Sequence, residues 1–103
     1  MIKSGLLIGG HIAYLGKLAE EVRTEDVSLF IAASLDDVKR IFANETIDIV
    51  FLGLESDPEY RLQVLSHVFA VSPTSSIHLM GKGDDPLLFV SEMLLRYHPR
   101  DSG

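Results

Sequence analysis

IDIVFLGL, at residues 47–54, is a nearly unbroken run of apolar residues. A run that does not alternate between apolar and polar residues is typical of a strand buried on both faces of a parallel sheet. The pair Asp57-Pro58 follows, and an aspartate directly before a proline is a strong signal for the start of a helix. This part of the chain therefore predicts a buried strand followed by a helix.

The rest of the chain repeats this order of strand and helix. Apolar runs predict the other strands, and segments with apolar residues three and four positions apart predict the helices between them. The predicted strands are 5–8, 27–33, 47–54 and 76–80, and the helices begin near His11, Ser34, Asp57 and Asp85. Four alternating strands and helices with short connections predict an α/β fold, in which a parallel sheet carries helices on both faces.

The third predicted helix begins at Pro58 and stops before Ser72-Pro73. Its inner face should consist of apolar residues that recur at helical spacing. We expect this face to be formed by Leu62, Leu65, Val68 and Phe69.

Length and composition indicate one small domain. The chain has 103 residues, 47% hydrophobic and 23% charged, and we expect one domain over residues 1–98 with a polar tail over 99–103. The formal net charge of −6 argues against direct nucleic-acid binding and against anionic membranes, which both require clustered positive charge. No apolar stretch approaches the ~20 residues of a membrane span. The absence of cysteine excludes disulfides and thiol catalysis, and the composition predicts a cytoplasmic protein.

The order of the elements, their lengths and their apolar runs resemble a response-regulator receiver domain, which has a doubly wound, flavodoxin-like fold. The resemblance covers residues 3–97. It implies a three-layer α/β sandwich with a four-stranded parallel sheet in the order 2-1-3-4, which leaves the fourth strand at one edge. A receiver domain normally has five strand–helix units, whereas this chain has four.

The residues that carry out phosphoryl transfer in that family fall on glycines in this chain. The resemblance implies that the acidic pair that holds magnesium aligns with Gly9 and Gly10, and that the phospho-acceptor aspartate aligns with Gly53. The family's Ser or Thr falls near Met80 or Gly81, and the strand that would carry its Lys is absent. Phosphoryl transfer needs a carboxylate nucleophile and a divalent ion, and glycine supplies neither. We therefore expect no catalytic residue, no metal site and no cofactor.

The last predicted helix offers a contact surface. Eight of the twelve residues from Pro86 to Tyr97 are apolar, which is more than one helix face needs. Uncovered apolar residues beside an edge strand are typical of a protein interface, although single exposed leucines are also common on ordinary surfaces. The expected contact residues are Leu88, Phe89, Met93, Leu95 and Tyr97.

Degenerate receivers, such as those of flagellar master regulators of the enhancer-binding type, serve as dimerisation or docking modules. The resemblance therefore implies a non-catalytic regulatory module. Its partner would be a second copy of the chain, as a homodimer, or another signalling protein.

The glycines at the strand ends leave a second hypothesis open. In open α/β sheets, ligands bind outside the carboxyl ends of the strands, and a helix N-terminus there can bind an anion. A crevice of this kind, suited to a nucleotide or a phosphorylated metabolite, would be lined by Gly9, Gly10, His11, Gly53 and Gly81. The alternative is that an abandoned active site has drifted to small residues.

Acidic residues at the same edge have simpler structural roles. Glu55, Asp57, Asp84 and Asp85 carry oxygen ligands that suit Mg²⁺ or Ca²⁺. However, Asp57 and Asp85 each precede a proline, where an aspartate caps the start of a helix. The four histidines lack the spacing of a zinc site, and no nucleophile motif is present, so a hydrolase is not expected.

Overall fold

A computed structural model describes residues 3–9, 12–22, 27–53, 57–81 and 83–96. Strands and helices alternate along these ranges as the sequence predicts, and their boundaries agree closely with the predicted ones. The elements are β1 (Lys3–Ile8), α1 (Ile12–Val22), β2 (Val27–Ala32), α2 (Leu35–Asn44), β3 (Ile49–Gly53), α3 (Pro58–Val71), β4 (Ser76–Met80) and α4 (Pro86–Arg96).

The four strands form one parallel sheet in the order β2-β1-β3-β4. This confirms the α/β fold and the strand order that the resemblance implies. One row of side chains crosses the sheet in matched register and consists of Ile31, Leu7, Phe51 and His78. β4 pairs with β3 on one side, and no strand among the described residues pairs with its other side.

Helices cover both faces of the sheet and form two apolar clusters. α2 and α3 pack on one face, where Val38 and Val64 join Leu6 and Leu52 in the core. α1 and α4 pack on the other face around Phe51. The central strands β1 and β3 are covered from both sides, which is why their apolar runs do not alternate with polar residues. Within the described ranges, no helix is both long enough and apolar enough to cross a membrane.

Side-chain caps start three of the helices. The Ser34 hydroxyl accepts a hydrogen bond from the Asp37 N–H at 3.1 Å, ahead of α2. Asp57 accepts from the Glu59 N–H at 3.4 Å, and Asp85 accepts from the Leu87 N–H at 3.1 Å. Each cap satisfies an N–H group that has no partner within the helix itself. The predicted capping roles of Asp57 and Asp85 are thus confirmed.

The predicted inner face of α3 is wrong in part. Val64 and Val68 are the buried residues, whereas Leu62 and Phe69 are 65% and 60% exposed. The helix carries two apolar stripes at helical spacing, one through Val64 and Val68 and one through Leu62 and Phe69. Periodicity alone could not choose between the stripes, because both satisfy the pattern of an amphipathic helix.

Candidate functional site

The glycines of the predicted crevice lie where expected, at the carboxyl edge of the sheet. Gly9 follows β1 and donates its N–H to the carbonyl oxygen of Ala32 at 3.1 Å. Gly53 is the last residue of β3, and Gly81 follows β4. Gly10 and His11 lie outside the described residues. Three of the five predicted crevice residues therefore share one edge, as parallel strands require.

The space beside these glycines is only partly open. A Cβ atom at Gly9 would lie 3.3 Å from Cδ2 of Leu15, a tight contact that requires this side chain of α1 to shift by a few tenths of an ångström. A Cβ atom at Gly81 would lie 3.3 Å from an Asp84 carboxylate oxygen. At Gly53, no heavy atom of the described residues lies within 4 Å of the Cβ position. The open part of the crevice is thus at the end of β3.

The acidic groups of this edge are engaged with their own loops. Asp84 accepts a hydrogen bond from the Gly81 N–H at 2.8 Å, and Asp57 and Asp85 cap α3 and α4. Glu55 lies outside the described residues. No group of three or more metal-binding side chains occurs in the part of the chain that the structure describes. The described carboxylates therefore act as turn and cap residues.

A carboxylate that the sequence analysis did not single out lies at the end of β2. Asp37 accepts a hydrogen bond from the Ala33 N–H at 3.2 Å and forms an ion pair with Arg40 at 3.1 Å. The Ala33 N–H is the main cause that holds the pKa of Asp37 below its ordinary value, while partial burial acts in the opposite direction. Ser34 and Arg40 add to the effect of Ala33. Asp37 is therefore a charged anchor of the β2–α2 turn.

Tyr60, on the first turn of α3, is the second titratable group in this region. Its hydroxyl is buried and has no hydrogen-bond partner among the described residues. Burial raises the pKa of Tyr60, and the negative charge of Asp37 raises it further. Nothing in the one-dimensional pattern distinguishes this tyrosine from an ordinary core aromatic residue, so the sequence offered no signal for it.

The predicted contact residues of α4 divide into two groups. Leu88 and Leu95 are 57% and 80% exposed and lie seven residues apart on the outward face. Phe89 and Met93 are half-buried and pack into the core cluster around Phe51. Phe89 also meets the Phe51 ring edge-on, with centroids 6.3 Å apart. Two of the four described residues thus face outward.

The fifth predicted contact residue, Tyr97, lies outside the described residues. The end of α4 is tied to the sheet, because Lys3 Nζ donates to the carbonyl oxygen of Leu94 at 2.7 Å. α4 is therefore an integral layer of the fold, with an outward face that carries Leu88 and Leu95.

β4 and α3 also carry exposed apolar residues that were not among the predicted contact residues. Leu79 is 46% exposed on the face of the sheet that α3 covers. His78 points to the opposite face, where its ring stacks on Phe51 with centroids 5.8 Å apart. Leu62 and Phe69 of α3 are exposed as well. The signal for them was the second apolar stripe of α3, which the sequence analysis took for part of the inner face.

Solved structures of other proteins have a similar architecture. The chain is similar to a CheY-like receiver domain protein from Methanospirillum hungatei JF-1, with a TM-score of 0.72, 12% identity and coverage of 93% of this chain and 94% of that chain. It is also similar to the signal receiver domain of an HD domain-containing protein from Pseudomonas fluorescens Pf-5, with a TM-score of 0.68, 15% identity and coverage of 90% and 74%. A response regulator from Thermotoga maritima aligns with a TM-score of 0.67, 12% identity and coverage of 91% and 78%.

No protein-family model and no curated protein sequence matches the chain. The structural matches nevertheless cover nine-tenths or more of it, with TM-scores of 0.67 to 0.72. The resemblance to receiver domains is therefore confirmed at the level of the fold. The chain has the fold of a response-regulator receiver domain, with four strands and four helices in the part that the structure describes.

Proposed function

We propose that this chain is a non-catalytic regulatory module that works by protein contact rather than by accepting a phosphoryl group. The observation that carries the proposal is Gly53, which ends β3 where a receiver domain has its phospho-acceptor aspartate. A glycine has no carboxylate to attack phosphorus. Gly9 and Gly10 likewise replace the acidic pair that would hold the divalent ion.

Exposed apolar surface on both sides of β4 supports a role in protein contact. On one side, α4 presents Leu88 and Leu95, and on the other side α3 presents Leu62 and Phe69. Within the described ranges, no strand pairs with the outer edge of β4, and an unpaired edge can pair with another chain. Exposed apolar residues grouped in this way are typical of an interaction site. The partner is a second copy of the chain or another signalling protein.

A phosphodonor experiment tests the non-catalytic part of this proposal. The purified chain is incubated with acetyl phosphate and Mg²⁺, and its intact mass is measured. We expect no gain of a phosphoryl group, because the carboxyl edge has neither the acceptor nor the metal ligands. A stable acyl-phosphate adduct that maps to any carboxylate at this edge would overturn the proposal, whatever the oligomeric state of the chain.

Substitution of the α4 leucines tests the contact surface proposed from the sequence. If α4 carries the contact, Leu88→Glu and Leu95→Glu should each turn an associated chain into a folded monomer. Tyr14→Glu on α1 is a matched control, since Tyr14 is also exposed and lies outside this face. Molar mass measured by light scattering reads out the association, and an unchanged mass in both leucine variants removes α4 from the interface.

The open space beside Gly53 favours a second candidate function, the binding of a small ligand such as a nucleotide or phosphorylated metabolite. The close approach of Leu15 to Gly9 limits the size of such a site. Titration calorimetry with a panel of nucleotides and sugar phosphates tests this candidate. Heat of binding that is lost in Gly53→Leu would support it, and a panel without measurable heat would reject it.

A further inference from the structure

We propose that two copies of this chain dimerise through the open edge of β4 together with the exposed flank of α3. This inference rests on the proposed role in protein contact and names the partner as a second copy. The surface consists of the β4 edge and of Leu62, Leu65, Phe69 and Leu79, and is called the β4–α3 strip below.

The strip lies on the side of α3 that faces away from α2. His67 of α3 meets the ring of Phe42 of α2 with centroids 6.5 Å apart, so that side of the helix faces α2. Leu62 and Phe69 lie on the opposite side of α3 by helical spacing. α3 connects β3 to β4, and its buried residues share one core cluster with residues of both strands, so its side away from α2 faces the β4 side of the sheet. Leu79 is in register with Leu52 of the α3 cluster and therefore lies on the same face of the sheet.

The backbone of β4 is suited to pair with itself. The Ser76 N–H donates to the Asp48 carbonyl oxygen at 3.0 Å, so the backbone groups of Ser76, His78 and Met80 point towards β3. Backbone groups alternate along a strand, and those of Ile77 and Leu79 therefore point to the open edge. An antiparallel pair centred on His78 sets Ile77 of each copy opposite Leu79 of the other. Both outward residues then form hydrogen-bonded pairs.

The same arrangement brings the two α3 helices together. A twofold axis through the β4 pair keeps α3 of both copies on one face of a continuous sheet. Strands lie ~4.8 Å apart, and a helix above β3 and β4 then lies about 10 Å from its symmetry mate, which is close to the usual packing distance of two helices. Leu62, Leu65 and Phe69 would fill the contact between the helices, above Leu79.

Charge favours this strip over the α4 face as the site for a second copy. Two chains with a net charge of −6 repel each other, so their contact surface should be free of charge. β4 contains no charged residue, and none lies along the α3 stripe that runs through Leu62, Leu65 and Phe69. On α4, Glu92 is exposed between Leu88 and Leu95, and Arg96 follows. A charged edge strand usually prevents such pairing, and this strand lacks that protection.

Light scattering over concentrations up to the millimolar range tests the inference with matched substitutions. Leu62→Glu, Phe69→Glu and Leu79→Glu are expected to raise the dimer dissociation constant at least tenfold, since each buries a charge at the dimer contact. Leu88→Glu and Leu95→Glu introduce the same change on α4 and are expected to leave the constant within twofold. Circular dichroism confirms the fold of each variant, and Leu62→Glu carries the test if Leu79→Glu fails to fold.

A disulfide experiment tests the register directly, because the chain contains no cysteine. In the proposed pair, His78 lies opposite His78 of the other copy as a non-hydrogen-bonded pair with Cα atoms ~4.5 Å apart, within reach of a disulfide. His78→Cys should therefore form a disulfide-linked dimer under mild oxidation, whereas Leu88→Cys should not.

Three results would overturn the inference: a wild-type chain that stays monomeric, strip variants that dimerise normally, or dissociation caused by the α4 variants instead. None of them affects the absence of phosphoryl transfer, which the mass measurement tests separately.

Discussion

The glycines at the carboxyl edge differ in the space around them. Leu15 crowds the Cβ position of Gly9 at 3.3 Å, whereas no heavy atom in the described ranges lies within 4 Å of the Cβ position of Gly53. We therefore expect the end of β3 to accept a side chain more easily than the end of β1, where buried Leu15 would have to shift. A carboxylate side chain is thus sterically feasible at Gly53, whereas at Gly9 it would require Leu15 to shift.

This difference predicts opposite outcomes for two matched substitutions. Gly9→Ala should destabilise the fold by about 1 kcal/mol or more, because the added methyl group crowds Leu15 in a packed core. Gly53→Ala should change the free energy of unfolding by less than about 0.5 kcal/mol, as expected where no neighbour is displaced. Urea denaturation measures both, and equal losses would contradict the difference in space.

We expect that an aspartate introduced at position 53 (Gly53→Asp) does not by itself confer phosphorylation on the chain. The variant should fold, because the side-chain position is open, yet remain unmodified by acetyl phosphate with Mg²⁺. Positions 9 and 10 would still lack the carboxylates that hold the ion and offset the charge of the phosphoryl oxygens. Phosphorylation of this variant, detected by intact mass, would show that the edge keeps a functional metal site.

The lowered pKa of Asp37 implies that the stability of the fold depends on pH. The Ala33 N–H lowers its pKa in the folded chain, so the charged carboxylate stabilises the fold above its unfolded pKa. This contribution should be lost as the pH falls through the folded pKa, in the acid range below about pH 4. Asp37→Asn should flatten that part of the curve of unfolding free energy against pH. An unchanged acid limb would contradict the role assigned to Asp37.

Among the elements, α4 combines a structural face with an exposed face. Val90 and Leu94 are buried beside Phe51, and Lys3 binds the carbonyl oxygen of Leu94. The sequence predicted the helix and its high apolar content. It could not show that Phe89 and Met93 belong to the buried face, because apolar residues occur nearly all round this helix. Tertiary packing decides which of them are covered.

Substitution of two neighbouring leucines of α4, Leu94 and Leu95, is expected to have contrasting effects on stability. Leu94→Ala should reduce the free energy of unfolding by about 3 kcal/mol, since it leaves a cavity in the core. Leu95→Ala should change it by less than about 0.5 kcal/mol, because its side chain is exposed. Similar losses in both variants, measured by urea denaturation, would mean that α4 packs in a different rotation.

At the scale of the whole molecule, the sequence predicted the architecture better than the surface. Unbroken apolar runs and the caps at Ser34, Asp57 and Asp85 marked the strands and helices, because burial on both faces and helix starts leave local signals. The fold of receiver domains followed from their order. The sequence did not predict which apolar stripe of α3 is exposed, since both stripes have the spacing of an amphipathic helix. Packing against the sheet buries one stripe and leaves the other exposed.

Our central proposal is that this chain, which has the receiver fold, acts by protein contact without phosphoryl transfer. Sedimentation equilibrium of the wild-type chain, over a wide concentration range and with or without acetyl phosphate and Mg²⁺, tests this claim most directly. We predict a dimer of twice the 11.4 kDa chain mass whose dissociation constant is the same with and without the phosphodonor. A chain that dimerises only when the phosphodonor and Mg²⁺ are present would contradict the account.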